Sequence, residues 1–586
     1  MKKITVMVAE KDANSAVGRL RKLGLVHVEP MQPPHADYID TLNRRIPMVD
    51  KILTLLGSSK APQKDLDNSK AVLIAKKILA LSGQRQELAS QIENLKKRLD
   101  WFREWGDVSY GALQRLKKEG VFIKLYYGPK SSLKQIDTGK LVYVLSREKG
   151  GLRLALVTRD AQEALNLPEV HVPNIDKNAL QKMIYILAAD FKEIDKQIDD
   201  FRIYARYFSR VKTEFHKRLD FCHVRFGMVN KQGIYCLKGF CPSEDVPAIN
   251  EAAIQHGWAL LVEEPDEPQE VPTLIRNPRW VRIIDPVFKF MGTVPGYKEF
   301  DISFWFLLFF SLFFAMLIGD AGYGIIFLFI TLYARKKFPR APSEPFFLIG
   351  VLSLATIAWG AITGTWFGCE KIAQLPVFKA VVVNKISSAS TTNQSFMMGL
   401  CFVIGVIHLT IAHAKLALSL INSLKALAQV GWICILWGVF FVANSLVLGS
   451  RLPGLSLWLL SIGLILAVLF SNPQKNMLKG ALISLGNLPL SVISSFSDIV
   501  SYLRLFAVGY ASAIVASSFN NMALASGINS VVAGFMAALI LVLGHTLNIT
   551  LGFMAVIVHG MRLNMLEFSG HLGMEWSGKE YKPFKE

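Results

Sequence analysis

Two arginines stand inside apolar stretches of this 586-residue chain, and they set the chemistry to be explained. Arg504 lies in Ser501-Tyr-Leu-Arg-Leu-Phe-Ala-Val-Gly-Tyr510, and Arg562 in Val558-His-Gly-Met-Arg-Leu-Asn-Met-Leu-Glu-Phe568. A guanidinium at the centre of an apolar helix costs about 2.5–3.5 kcal/mol on insertion scales, so each requires a partner. At about 100° per residue, Arg504 shares its face with Ser497, Ser501, Ala507, Ala511 and Ser518. All are small, which lets another helix approach the charge closely. With Arg562 at 0°, Asn548 falls at about 40°, His559 at about 60°, Gly552 at about 80° and His545 at about 100°. Such a polar wedge on an otherwise apolar helix has the pattern of an aqueous or ion-conducting lining.

Each of these residues also has a blander reading. Arg562 snorkels to the membrane surface beside Glu567 in one, and His545 and His559 are packing histidines in another. Asp498, six residues before Arg504, sits either at the interface or on an entry path. His408, Lys415 and Asn422 recur at seven-residue steps and are expected to pack, with Lys415 snorkelling. Asp320, in Gly319-Asp-Ala-Gly-Tyr-Gly324, is expected to shape a turn rather than bind an ion.

Other chemistries find no support in the sequence. The Gly-Lys pairs, Gly139-Lys140 and Gly578-Lys579, are followed by Leu141 and Glu580, so there is no Walker A loop and no nucleotide site. Neither His-Glu-x-x-His nor Gly-x-Ser-x-Gly occurs. The six cysteines have irregular spacing and are expected to be packing thiols in a reducing compartment. No metal and no cofactor is expected.

The elements that must position the arginines follow from a lopsided composition. Charged residues make up 19% of the chain, against about 25% in an average soluble protein. Residues 1–300 hold 48 Lys and Arg with 37 Asp and Glu, whereas residues 301–586 hold 17 and 9. A charged front half is thus joined to a charge-poor rear half, which excludes an all-soluble enzyme and an all-membrane transporter alike. The net charge of +19 is scattered among acids, which argues against nucleic acid and suits an anionic membrane surface. Ile4–Val8 is too short for a secretory h-region, so the front half is expected in the cytoplasm.

An α+β fold is expected for residues 1–272: two small α/β lobes on a long antiparallel helical hairpin. One lobe combines about 1–36 with 221–265, and the other spans about 120–175. The hairpin arms are about 37–118 and 176–220, where apolar residues such as Leu88, Ile92, Leu95 and Leu99 recur at helical spacing. Residues 273–302 are read as a linker. Residues 303–586 are expected to form an all-α membrane domain of eight transmembrane helices, the last two long and tilted. Ser303–Ala334 would be about 48 Å as one helix, too long to cross a core of about 30 Å upright, and is read as two short spans. The others are Phe346–Gly368, Phe396–Ile421, Val430–Leu448, Leu455–Phe470, about Leu488–Met522 and about Ile528–Phe568. Loops on the side of the N-terminus then carry Arg335, Lys336, Lys337, Arg340, Lys425, Lys475 and Lys479. Those opposite carry Lys371, Lys379, Lys385 and Arg451, which places both termini inside.

The chain resembles subunit I, or subunit a, the stator subunit of rotary V-type and A-type ATPases and ATP synthases. The resemblance covers essentially the whole length. It rests on Pro272-Thr-Leu-Ile-Arg-Asn277, Gly296-Tyr-Lys-Glu-Phe-Asp301 and Gly319-Asp-Ala-Gly-Tyr-Gly324. Its strongest parts are Ser501-Tyr-Leu-Arg-Leu505, His559-Gly-Met-Arg-Leu563 with Glu567-Phe568, and Gly578-Lys-Glu-Tyr-Lys-Pro-Phe584. Eukaryotic relatives place a glutamate where this chain has Gly552 and a histidine where it has Ser512. They also carry large insertions that are missing here, which points to a bacterial or archaeal relative.

The resemblance implies a multi-pass protein of the cell (inner or plasma) membrane, without a nucleotide site of its own. Its implied partners are a proteolipid rotor ring, peripheral stalk subunits, the central-rotor adaptor region and membrane lipid. Arg504 and Arg562 would face ring carboxylates between two ion half-channels, with His559, His545, Asn548, Ser501 and Asp498 as candidate lining. At about 4 Å and an effective dielectric of about 20, an arginine favours an ionised carboxylate by about 4 kcal/mol, enough to force release of its cation. Selectivity between H⁺ and Na⁺ would reside mainly in the ring. Two rival classes are a purely structural membrane anchor, which the polar wedge disfavours, and an ion-coupled secondary transporter, whose inverted repeats are not seen.

Overall fold

The computed structural model describes residues 1–57, 64–129, 140–148, 151–265, 267, 269–369, 372, 374–383, 385–386, 393–472, 477–525 and 530–585. Lys371, Lys475 and Ile528, used above for loop charge and a span boundary, lie outside them. The chain divides into two compact units. One comprises residues 4–239, 247–261 and 584–586, and the other residues 1–3, 240–246 and 262–583.

In the first unit, β1 (Lys2–Ala9) alternates buried Ile4, Val6 and Val8 with more exposed neighbours, the period of a half-buried strand. It joins β2 (His27–Glu29), β7 (Val229–Lys231), β8 (Ile234–Cys241) and β9 (Ala259–Glu263) in a sheet of order β2-β8-β1-β9, with β7 paired to β8. Helix α1 (Ala13–Leu23) buries Ala16, Val17 and Leu20, and stops at Gly24, whose φ of 63° suits glycine. A second sheet, of order β4-β5-β3-β6, is built from β3 (Phe122–Gly128), β4 (Val142–Glu148), β5 (Gly151–Thr158) and β6 (Glu169–Val170). Helices α2 (Asp37–Leu56), α3 (Asn68–Trp105), α4 (Tyr110–Lys118), α5 (Lys177–Asp200) and α6 (Ala205–Phe226) occupy the intervening sequence. Here α3 packs on α5 and α2 on α6 around Ile52, Leu56, Ile78, Ile198 and Phe208.

Helix α7 (Val246–His256) belongs mostly to the first unit, and α8 (Asp285–Met291) to the second. The second unit continues through α9 (Ser303–Ile318), α10 (Ala321–Lys337), α11 (Glu344–Thr363), α12 (Gln394–Ser419), α13 (Lys425–Leu448) and α14 (Gly454–Phe470). It ends with α15 (Met477–Ser501), α16 (Leu503–Ala525) and α17 (Val531–Ala555), which runs on to His571. Among the described residues, five helical stretches are long and apolar enough to cross a membrane, or six when α9 and α10 count as one broken span. The eight-span expectation thus meets one pair bent by 120° and, in α14, one shorter helix of 17 residues.

Helix α9 is apolar all round and is buried accordingly, with Phe306, Phe310, Phe313 and Leu317 in the core. Gly319 (φ 67°) ends it, and Asp320 opens α10. The Asp320 carboxylate accepts from the backbone N–H groups of Gly322, Tyr323, Phe367 and Gly368, at 2.8, 3.3, 2.9 and 3.0 Å. It therefore holds both sides of the turn. Glycines set the close crossings: a Cβ on Gly360 would lie 2.1 Å from the Ala321 nitrogen, and one on Gly463 would lie 2.7 Å from the Gly431 oxygen. Two of the separate sequence motifs meet here, since Pro272–Thr273 pairs in parallel with Lys579–Glu580.

Candidate functional site

Arg504 sits just past a lapse in the helix. The long apolar stretch changes from α15 to α16 at Tyr502, where Leu505 bonds back only to the Tyr502 carbonyl, at 3.0 Å. The carbonyl of Ser501 accepts instead from Nε of Arg504, at 3.0 Å. The hydroxyl of Ser501 bonds to the Ser497 carbonyl at 2.9 Å and takes no part in the site. Tyr502 anchors the lapse: it is fully buried, and its hydroxyl meets Nδ1 of His408 at 2.9 Å. His408 is stacked between Phe309 and Phe568 at 3.8 and 4.3 Å, consistent with a packing histidine.

The partner of Arg504 is Glu567. Nη2 of Arg504 lies 2.9 Å from Oε1 of Glu567, and Nε of Arg562 lies 3.5 Å from the same oxygen. Only 3% of the Glu567 side chain is exposed, against 25% for Arg504 and 52% for Arg562. Two arginines from different helices therefore converge on one buried carboxylate. Its other oxygen, Oε2, is buried and accepts from no other described residue.

The polar wedge expected on the last helix divides into two places. Two π-helical turns, Val556–Gly560 and Leu563–Phe568, lie between or beside its members and break the regular rotation. Upstream, Asn548 donates to the Tyr323 hydroxyl at 3.1 Å and to the Ser512 carbonyl at 2.9 Å, and accepts from the Ser512 hydroxyl at 3.1 Å. His545 lies 2.7 Å from the Tyr323 hydroxyl and 3.1 Å from Asn520 Oδ1. That cluster ties α10, α16 and α17 together with its hydrogen bonds satisfied. Downstream, Arg562 goes to Glu567, while His559 is partly exposed with a buried Nδ1 that has no partner among the described residues. Gly552 is buried against Ile318.

Asp498 joins a second arrangement, beside the arginines. Its Oδ2 lies 3.1 Å from Nε2 of His571, whose Nδ1 lies 2.9 Å from Nε2 of His413. Asp498, His413, His571, Glu567 and Arg562 line one cleft of about 440 Å³. Sequence reasoning missed the structural partnership of Glu567, and it missed His413, His571 and Tyr323 as neighbours of the site. His571 follows Glu567 by four residues, one helical turn, and that spacing was the available signal. Nothing in the sequence links His413 to His571, 158 positions away.

No family model matches the sequence. The V-type ATP synthase subunit I of Borreliella burgdorferi is 29% identical over 610 residues, covering 100% of this chain and 99% of that protein. The V-type ATP synthase subunit I 1 of Treponema pallidum is 27% identical over 626 residues, again covering 100% and 99%. The A-type ATP synthase subunit I of Methanocaldococcus jannaschii is 24% identical over 572 residues, covering 89% of this chain and 80% of that protein. With its apolar helices, the chain is a multi-pass membrane protein.

Proposed function

We propose that this chain, a homologue of the subunit I proteins of bacterial and archaeal V-type and A-type ATP synthases, is the static half of an ion path against a rotating proteolipid ring. In this reading the chain crosses the membrane eight times, with α9 and α10 as two short crossings, α14 as another, and α15 with α16 as one. The charged front unit, on the cytoplasmic side with both termini, binds peripheral stalk subunits and lies beside the central-rotor adaptor.

One observation carries the reading: Arg504 and Arg562 share a single buried carboxylate at the edge of a cleft. An arginine satisfied permanently inside a helix bundle needs one well-placed partner. Here two cations compete for one oxygen, and half of the Arg562 side chain stays exposed. Such a pair has positive charge to spare for a carboxylate arriving from outside the chain. An arriving ring carboxylate is held ionised by about 4 kcal/mol at about 4 Å and an effective dielectric of about 20, and so gives up its cation. The same charge bars a direct leak between the two half-channels.

Reconstituted vesicles containing the whole complex test this. Arg504→Ala is expected to abolish ATP-driven cation uptake while the complex still assembles. Full uptake by the assembled variant would overturn the reading in favour of a structural anchor. Purification of the wild-type chain without nucleotide-binding subunits would favour a transporter.

A further inference from the structure

We propose that the end of α10 and the start of α11 bind the phosphate of an anionic phospholipid, with Arg335 as its principal ligand and the outer stripe of α10 as the track for an acyl chain. The proposal needs only a multi-pass chain in a bilayer. It goes beyond the ion path, whose arginines lie in α16 and after α17.

Charge comes first. Arg335, Lys336, Lys337 and Arg340 put four cations into six residues. The nearest acids along the sequence are Asp320 and Glu344, and both are engaged elsewhere. Asp320 is buried at the other end of α10, where it accepts backbone N–H groups. Glu344 opens α11 and lies 3.5 Å from Arg282. Among the described residues no carboxylate comes within 4 Å of the four cations, and all four are exposed. The last turn of a helix and the surface of a membrane both favour cations, but neither calls for anything to hold them in place.

Here aromatic rings hold them. Cζ of Arg335 lies 4.5 Å from the ring centroid of Phe347, which belongs to α11. Nζ of Lys337 lies 5.8 Å from the ring centroids of both Tyr333 and Phe338. A ring positions a cation without neutralising it, so the N–H donors stay free for an anion. A guanidinium so held can offer two parallel N–H groups to two oxygens of one phosphate. The cleft between two membrane helices, topped by such cations, has the chemistry of a headgroup site.

The apolar surface below says which anion. Ile325, Phe329, Leu332 and Tyr333 are 47%, 72%, 59% and 60% exposed. With Ile325 at 0°, Phe329 falls at about 40°, Leu332 at about −20° and Tyr333 at about 80°, while Lys336 falls at about 20°. One exposed stripe therefore runs up the helix and ends on a cation, with Arg335 and Lys337 to either side. From Ile325 to Lys336 it rises about 16 Å, close to half of a hydrocarbon core of about 30 Å. A free phosphate would use none of this stripe, whereas a phospholipid uses both parts. A choline headgroup brings its own cation, so four cations without acids select a lipid of net negative charge.

The test titrates the detergent-solubilised full chain with phosphatidylglycerol and with phosphatidylcholine, and reads bound lipid by native mass spectrometry. The wild type is expected to hold phosphatidylglycerol in preference. Arg335→Gln should weaken that binding about fivefold, the share of one cation at an anionic surface. Phe347→Leu keeps every charge, so diffuse charge, or a role of the cations in orienting the helix, predicts no change there. A built site predicts a loss of about two- to fivefold. Lys379→Gln removes an exposed cation from another loop and should leave the affinity as it is. Glycerol phosphate, a headgroup without chains, should fail to displace the lipid at equal concentration. Equal binding of the two lipids by the wild type would overturn the proposal, as would unchanged affinity in Phe347→Leu. Displacement by glycerol phosphate would overturn the lipid in favour of a free phosphate. None of these readouts involves cation uptake, so their failure leaves the ion path standing.

Discussion

The guanidinium of Arg504 lies 2.9 Å from the carboxylate of Glu567, 63 residues further along the chain. Any carboxylate that reaches Arg504 from outside the chain therefore competes with a partner already in place. The pair also explains how a cation is tolerated in so apolar a stretch: the charge is matched inside the bundle, and its Nε–H donates to the Ser501 carbonyl.

Removing that partner should cost stability unequally. Glu567→Ala leaves Arg504 without a carboxylate and is expected to cost roughly 2–3 kcal/mol. That is less than for a fully buried pair, because a quarter of Arg504 stays exposed. A double-mutant cycle on unfolding in detergent should give a larger coupling for Arg504 with Glu567 than for Arg562 with Glu567, where half of the arginine is exposed. Equal couplings would contradict the assignment of Arg504 as the principal partner.

Two glycines of α11 separate packing from propensity. Gly360→Ala places a methyl 2.1 Å from the Ala321 nitrogen, so the α10–α11 crossing must open. A loss of roughly 2–4 kcal/mol is expected, of the size of an overpacked core. At Gly350 a Cβ meets nothing within 4 Å, and Gly350→Ala should be neutral or stabilise by about 0.5–1 kcal/mol. Thermal unfolding of the two variants side by side checks the difference.

Asp320→Asn changes almost no volume and should still destabilise. One carboxylate oxygen accepts from Gly322, Tyr323 and Phe367, and the other from Gly368. An amide turns one of those acceptors into a donor facing an N–H, at a cost of about 1–3 kcal/mol. Faster proteolysis in the loop after Thr363, with a lower Tm, is the expected outcome; an unchanged Tm would show that the turn does not depend on the second oxygen.

Burial pushes the Cys241 thiol up to about 12, from an ordinary value of 9.0. At pH 8 its thiolate is then about one part in 10⁴, and a thiolate-directed reagent should leave it unlabelled in the native protein while half-buried Cys369 reacts first. The sign for stability follows: the folded state favours the neutral thiol. This contribution is complete below pH 9, declines as the unfolded thiol ionises, and levels off above about 12. Peptide mass spectrometry after alkylation reads the labelling.

What the sequence settled by itself is whatever depends on local composition and spacing. The division into a charged front and an apolar rear, the break at Gly319-Asp320 and the amphipathic stretches of the front unit follow from hydrophobic periodicity, turn chemistry and the cost of a charge in an apolar setting. Those costs attach to single residues and neighbours, so they can be read in one dimension. The sequence also marked Arg504 and Arg562 as needing partners.

Which partners they have was decided only in three dimensions. A regular helical wheel put Asn548, His545, His559 and Arg562 in one wedge, but two π-helical turns break its phase, and the backbone sends the first two to Tyr323 and Ser512 and the last to Glu567. The meeting of His413, His571 and Asp498 depends on how three helices cross, and those crossings are set by side-chain packing between distant segments. No spacing along the chain encodes that geometry, because each contact spans 73 residues or more.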